Sequence, residues 1–356
     1  MKECRREPLA CASVVLSLLM LGSAPLLGQM TSSGKDVISF KTIPVKFDKN
    51  YGAAIAQIGE GRLVQMDTTV VEIPPGGKLA ARKLLAEEVI YIISGKGSTT
   101  MWKAGPKPTK VKYEWAAGDV LSPSLNVWRE HVNTSATEPA RFLSMTSTPV
   151  TKNIFGTVPS SDDVFEERWN KGVNQKFEKY PDGKWSTGQG DVSLHKEDKG
   201  SMAAGHYLPD MINGKWPAFA QSRNGFNLRP TGDASSGGSS MAGNRLFEWE
   251  AREEMKPRGY DMYHRHPWEA VYLCIKGEME SRLTRVTDFA TETQGQERVV
   301  TWKEGDLIIS ESNEYHSHHT KVAGSRFLEF KVSGYFYRMG TSIPLTRNID
   351  GKVSGE

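Results

Sequence analysis

Gly259-Tyr260-Asp261-Met262-Tyr263-His264-Arg265-His266-Pro267-Trp268-Glu269-Ala270-Val271-Tyr272-Leu273-Cys274-Ile275-Lys276-Gly277 is the stretch on which the reading of this chain turns. If Tyr263 to His266 is extended, successive side chains point to opposite faces. His264 and His266 then share one face, where two imidazoles can hold one metal ion.

Working outward, the same stretch has a partner earlier in the chain. Glu87-Glu88-Val89-Ile90-Tyr91-Ile92-Ile93-Ser94-Gly95 aligns without gaps on Glu269 to Gly277, Trp115-Ala116-Ala117-Gly118-Asp119 on Trp302-Lys303-Glu304-Gly305-Asp306, and Arg141-Phe142-Leu143 on Arg326-Phe327-Leu328. Three matches in one order imply a duplicated domain. Within each copy, short apolar or alternating runs are punctuated by Gly and Pro; Arg62 to Ile73, for example, closes at Pro74-Pro75-Gly76-Gly77. Many short strands at this spacing predict an all-β sandwich or barrel.

A chain of 356 residues fits two such domains. A net charge of +3 without clustered Lys, Arg and aromatic residues argues against nucleic acid as a partner. Lys2, Arg5 and Arg6 precede an apolar run from Leu9 to Leu21 and the small residues Gly22, Ser23 and Ala24. This pattern predicts a signal peptide over residues 1–29, and so a periplasmic or secreted protein off the membrane after cleavage; a run this short falls below the roughly 18 residues that favour a spanning helix. Cys4 and Cys11 fall in that leader, leaving Cys274 in an apolar run as a buried structural thiol. Residues 159–243, rich in Gly, Ser, Asn and Asp, read as a long irregular connection. It should pack in part, because Trp185, Tyr207, Trp216 and Phe219 need burial, and Asp162 to Lys176 could form a short helix.

Five of the eight histidines, His264, His266, His316, His318 and His319, fall in two short windows, which dispersed surface histidines would not do. Imidazoles arriving from separated strands are the usual means of wrapping a divalent metal. Gly259, His264, His266 and Gly277, followed by Gly305-Asp306 through His316, resemble the two sequence motifs of the cupin superfamily. The resemblance implies a jelly-roll β-barrel with a metal in its mouth, and two copies imply a bicupin. The expected barrels span 38–158 and 244–345, with 346–356 as a tail. It also suggests a homodimer, with Ile38 to Phe47 as an arm exchanged between protomers.

The pattern departs from the family at the carboxylate. Ala270 stands where Glu or Gln is usual, and Glu269 is one residue early, facing the other way on a regular strand. Glu269 is therefore open as a ligand, as a nearby catalytic group or as a solvent-facing residue. His318 shares the face of His316, as a base, an outer ligand or a rim residue. In the first copy Arg82, Leu84 and Arg129 replace the three histidines, and guanidinium has no lone pair to give a metal. Arg82 and Arg129 are expected either to pair with Glu88 at the carboxylate place or to bind an anionic ligand, and His131 matches His318.

These residues predict a His264, His266 and His316 centre for Fe, Mn, Cu, Ni or Zn, with Glu269 and His318 as catalytic candidates and Arg82, Glu88 and Arg129 as a substrate-binding set. Open positions on such an ion suit dioxygenase-like oxidoreductase chemistry on a small oxygenated molecule. A non-catalytic binder of a sugar or organic acid, and a non-redox isomerase or decarboxylase, are the alternatives, because fold alone does not select a reaction.

Overall fold

Alternate side chains of two aligned strands are buried on opposite sides, and this organises the molecule. The structure, a computed structural model, describes residues 36–102, 106–108, 110–123, 126–155, 192–194, 201–203, 207–208, 210–214, 221–222, 225–228, 248–254, 263–338, 346–348 and 353–354. The leader, the helix expected over Asp162 to Lys176, and Trp185, Trp216 and Phe219 lie outside the described residues.

In chain order the strands are β1 (Val37–Ser39), β2 (Lys46–Asp48), β3 (Ala53–Ile58), β4 (Asp67–Ile73), β5 (Glu88–Ser94), β6 (Lys96–Trp102), β7 (Lys110–Ala116), β8 (Val120–Leu121), β9 (Trp128–Asn133) and β10 (Ala140–Thr146), then helix α1 (Thr148–Phe155). Within the connection lies β11 (Tyr207–Leu208), and after it come β12 (Glu248–Glu254), β13 (His264–Arg265), β14 (Ala270–Lys276), β15 (Glu278–Thr284), β16 (Arg298–Lys303), β17 (Asp306–Ser310), β18 (Tyr315–Thr320), β19 (Ser325–Lys331), helix α2 (Gly334–Arg338) and β20 (Thr346–Asn348). Two sheets close each repeat into a jelly-roll barrel. The first has the order β11-β8-β5-β10-β4-β3-β2 over β7-β6-β9; the second has β1-β17-β14-β19-β12 over β16-β15-β18-β13-β20, with short flanking strands.

Strand β5 sends Ile90 and Ile92 into the first barrel, and β14 sends Ala270, Tyr272 and Cys274 into the second. Their alternate residues, Val89, Tyr91 and Ile93 against Val271, Leu273 and Ile275, meet in one core between the barrels, joined by Leu143, Leu307, Leu328 and Phe330. At about 1.5–3 kcal/mol per large apolar side chain removed from water, this shared layer holds the repeats together. Burial on both faces is also why these strands read as unbroken apolar runs. Both end on a glycine at positive φ, Gly95 at 82° and Gly277 at 80°. A Cβ there would lie 2.7 Å from the Ala140 backbone or 2.1 Å from Ser325 Oγ, so both turns require glycine.

Short strands are exchanged between the barrels. Strand β1 pairs with β17 of the second barrel, Val37 opposite Ile308, although it precedes the first barrel in sequence. The first residues of the arm expected over Ile38 to Phe47 thus pair with the second barrel of the same chain. In return, β11 from the connection adds to β8 of the first barrel. Tyr207 Oη donates to Asp119 Oδ2 at 2.7 Å, the Asp210 amide donates to Asp119 Oδ1 at 2.8 Å, and Arg326 Nη1 reaches the carbonyls of Met211 and Ile212 at 3.1 and 3.0 Å. The connection therefore packs in part, as Tyr207 required. Part of the expected tail is β20, whose Asn348 pairs with His264. Among the described residues, no helix is long and apolar enough to cross a membrane.

Candidate metal centre

Register brings the histidines together. His264 in β13 lies directly across from His316 in β18, and His266 follows two residues on. Ring centroids are 4.5 Å apart for His264 and His316, 4.7 Å for His266 and His316, and 5.6 Å for His264 and His266. One nitrogen of each lies within 4.8 Å of the others. Roughly 2.1 Å metal–nitrogen bonds need nitrogens about 3–4 Å apart, so these residues fit an ion with little movement.

Hydrogen bonds fix which nitrogen faces the centre. His266 Nδ1 lies 2.8 Å from the Trp268 carbonyl, and His316 Nδ1 lies 2.8 Å from the Glu314 carbonyl and 2.9 Å from Ser310 Oγ. A carbonyl only accepts, so both Nδ1 atoms carry the proton and both Nε2 atoms present a lone pair. His316 Nε2 is buried and has no hydrogen-bond partner among the described residues. Burial first, then the neighbouring imidazoles, and for His266 also Lys331, hold both rings well below the ordinary histidine range. They are neutral at neutral pH and ready to ligate.

His318 is held by a side chain and not by a carbonyl. Trp302 Nε1 donates to Ser281 Oγ at 2.8 Å, and Ser281 Oγ lies 2.7 Å from His318 Nδ1. The serine oxygen accepts from the indole and is the hydrogen-bond partner of Nδ1, so the pair orients the His318 ring. His318 stands 5.4 Å, centroid to centroid, from His316. His319 faces Glu280 at 3.5 Å instead.

Glu269 is placed elsewhere. It is fully buried, yet its carboxylate leaves the histidines and accepts the amides of Val64 at 2.8 Å, Gln65 at 2.6 Å and Met66 at 2.7 Å, all in the first repeat. Neither the ligand role nor the solvent-facing position expected of it describes this geometry; Glu269 ties the two repeats together. Burial pushes its pKa up to about 7, against the pull of the three amides.

Sequence reading missed the remaining inner wall. Lys331 lies opposite Ala270, and Glu329 lies opposite Tyr272. Lys331 Nζ is 3.1 Å from Glu329 Oε1, Tyr272 Oη is 3.4 Å from the same oxygen, and the Tyr272 ring lies 4.1 Å from that of His318. Phe327-x-Glu329-x-Lys331 was the available signal, two charges at period two in an otherwise buried strand.

In the first barrel the corresponding residues also converge. Arg82 and Arg129 exchange backbone hydrogen bonds of 3.0 and 2.8 Å. Arg129 is ion-paired to Glu88, Arg82 Nη2 lies 3.4 Å from Glu88 Oε1, and Ser144 Oγ donates to that oxygen at 2.5 Å. Burial works to raise Glu88, but Arg129 and Arg82 bring it down to about 2. Trp115, Thr99 and His131 repeat the relay of the second barrel, at 2.9 and 2.8 Å.

An all-β chain of two fused barrels with a three-histidine cluster in one mouth is thereby defined. Its fold is that of the two-barrel cupins, although no family model and no curated protein matches the sequence. Among solved structures it is similar to salicylate 1,2-dioxygenase from Pseudoaminobacter salicylatoxidans. A single-site variant of that enzyme in complex with gentisate superposes with a TM-score of 0.54 at 12% identity, over 89% of this chain and 82% of that one. Bacillus subtilis oxalate decarboxylase, studied for its Mn(II) centres, superposes with a TM-score of 0.50 at 13% identity, over 89% of this chain and 80% of that one.

Proposed function

We propose that the protein is an exported, dioxygenase-like oxidoreductase acting on a small oxygenated organic acid at a divalent metal in the second barrel. The observation that carries this reading is the matched preparation of His266 and His316, each with Nδ1–H tied to a backbone carbonyl and Nε2 turned to the cluster. Such tied imidazoles suit a functional centre better than a chance pair. An ion bound there would supply Lewis acidity, redox capacity and coordination positions open to substrate.

The chain's own residues do the rest. His318 Nε2–H donates to an oxygen of the substrate, held in direction by Ser281 and Trp302. Lys331, beside Glu329 and Tyr272 on the same inner wall, supplies the cation that favours an acidic substrate. Trp268, stacked on His266 with centroids 4.6 Å apart, and Phe336 of α2 shield that side from water. Salicylate, gentisate and oxalate, named for the two similar structures, all carry the carboxylate that this wall suits.

The test is metal analysis of the purified protein, followed by oxygen uptake across aromatic and aliphatic hydroxy acids. One bound transition metal per chain, lost in His264→Ala plus His266→Ala, with oxygen uptake on at least one acid, is expected. Metal retained in that double variant would overturn the site. Metal bound without oxygen uptake would replace the redox reading with a decarboxylase-like or ligand-binding one.

A further inference from the structure

Where the second barrel gathers neutral imidazoles, the first holds an unbalanced buried charge. Arg82 and Arg129 are two permanent cations, Glu88 is one anion, and burial above all keeps His131 neutral, with its pKa down at about 3. Among the described residues, Glu88 is the one carboxylate that acts on either guanidinium; the other groups felt there are Tyr51 and the arginines themselves. Arg129 and Glu88 are each 1% exposed, so their pair is shielded from solvent, and Arg82, 24% exposed in its side chain, is the cation in excess at the edge of that pair. A buried cation without its partner is strongly destabilising, so retaining two arginines at one carboxylate calls for a second anion.

Donors for that anion are present. Arg82 Nε, Arg129 Nε and His131 Nε2 are all buried and have no hydrogen-bond partner among the described residues. Thr99 Oγ1 accepts the Trp115 indole N–H and is the hydrogen-bond partner of His131 Nδ1 at 2.8 Å; in the tautomer where the Thr99 proton goes to Nδ1, His131 Nε2–H is a donor. Arg82 is 24% exposed in its side chain and stacks over Tyr51, so the site has an open side. Phe142 lies 5.3 Å from the His131 ring, Arg129 Nη1 reaches the Val127 carbonyl at 3.5 Å, and Phe142 and Val127 belong with Ile90 to one apolar cluster. Apolar walls beside paired guanidiniums suit a monovalent organic carboxylate with a small apolar body better than a hydrated inorganic ion.

We propose that the first barrel binds a small organic carboxylate between Arg82 and Arg129, with one of its oxygens on His131 Nε2–H. The site stands apart from the histidine cluster and does not depend on the reaction carried out there.

The test uses the full-length protein and benzoate, with benzamide and chloride as controls, by calorimetry and thermal denaturation. Benzoate should bind and raise Tm, and benzamide and chloride should not. Arg82→Met, chosen because Arg82 is partly exposed, should weaken benzoate binding at least tenfold. Glu88→Gln removes the competing anion and should tighten it about tenfold, with benzoate restoring part of the stability that variant loses. His264→Ala plus His266→Ala should leave one benzoate site intact. The proposal is overturned if benzamide binds equally well, if chloride binds and benzoate does not, if Glu88→Gln weakens binding, or if all benzoate binding disappears with His264 and His266.

Discussion

Lys331 is the cross-strand partner of Ala270 in the wall of the second barrel, and its charge is felt at His266. The small residue at 270 leaves room for the lysine stem, while the carboxylate of this wall sits on the neighbouring strand at Glu329, 3.1 Å from the ammonium. Acid and base are both buried, with side-chain exposures of 6% and 10%. Removing one partner of a buried pair costs about 3–5 kcal/mol, whereas replacing both is far milder. Lys331→Met should therefore lower stability by about that amount, and Lys331→Met with Glu329→Gln should recover most of it. Denaturant unfolding of the four proteins gives the coupling; a double-variant loss equal to the sum of the two single losses would show that the two side chains act independently.

Ser281 tests the relay behind His318. Ser281→Ala leaves the Trp302 indole N–H without its acceptor and His318 Nδ1 without its hydroxyl partner. An unsatisfied buried donor costs about 1–3 kcal/mol. The expected signature is specific: the His318 tautomer, read from its imidazole nitrogen shifts, changes, while metal content does not. An unchanged tautomer would mean that another contact orients the ring.

How much of this was visible in the sequence follows from the distance over which each signal acts. His264, His266 and His316 stood out because spacing on two strands is local and the register that joins them belongs to the repeat. Lys331 and Glu329 were hidden because β19 is buried on both faces, so alternation does not reveal which charges point inward. The target of Glu269 lies about two hundred residues away in the other barrel, as its bonds to Val64, Gln65 and Met66 show. The exchange of β1 and β11 was beyond reach for another reason, since strands of three and two residues carry no period to read.

Acid should loosen the first barrel before any loss of its apolar core. The folded pKa of His131 is depressed to about 3 from an ordinary 6.5, so the unfolded chain binds the extra proton and stability falls as pH drops from about 6.5 toward 3. Glu88, lowered to about 2 from 4.5, contributes stability that is present above 4.5 and lost as pH falls toward 2. Both act in the same direction and in overlapping windows. Unfolding free energy measured between pH 7 and pH 3 should fall steeply in the wild type and less steeply in Glu88→Gln; parallel slopes would remove Glu88 from the account.

Glu269 makes the sharpest separation between a structural and a ligating carboxylate. Glu269→Ala would strand the amides of Val64, Gln65 and Met66 at the junction of the barrels, a loss of about 3 kcal/mol or more at roughly 1–3 kcal/mol for each unsatisfied donor. Metal content should be unchanged, because the carboxylate points away from the histidines; a drop to the level of the His264 and His266 variant would make Glu269 a ligand after all. The pH dependence has a definite sign. With its pKa raised to about 7 from 4.5, Glu269 takes up a proton on folding, so its contribution is fully present below about 4.5 and is lost as pH rises through 7. The stability gap between wild type and Glu269→Ala should therefore be wider at pH 5 than at pH 8, opposite in sense to the gap that Glu88→Gln opens in the first barrel.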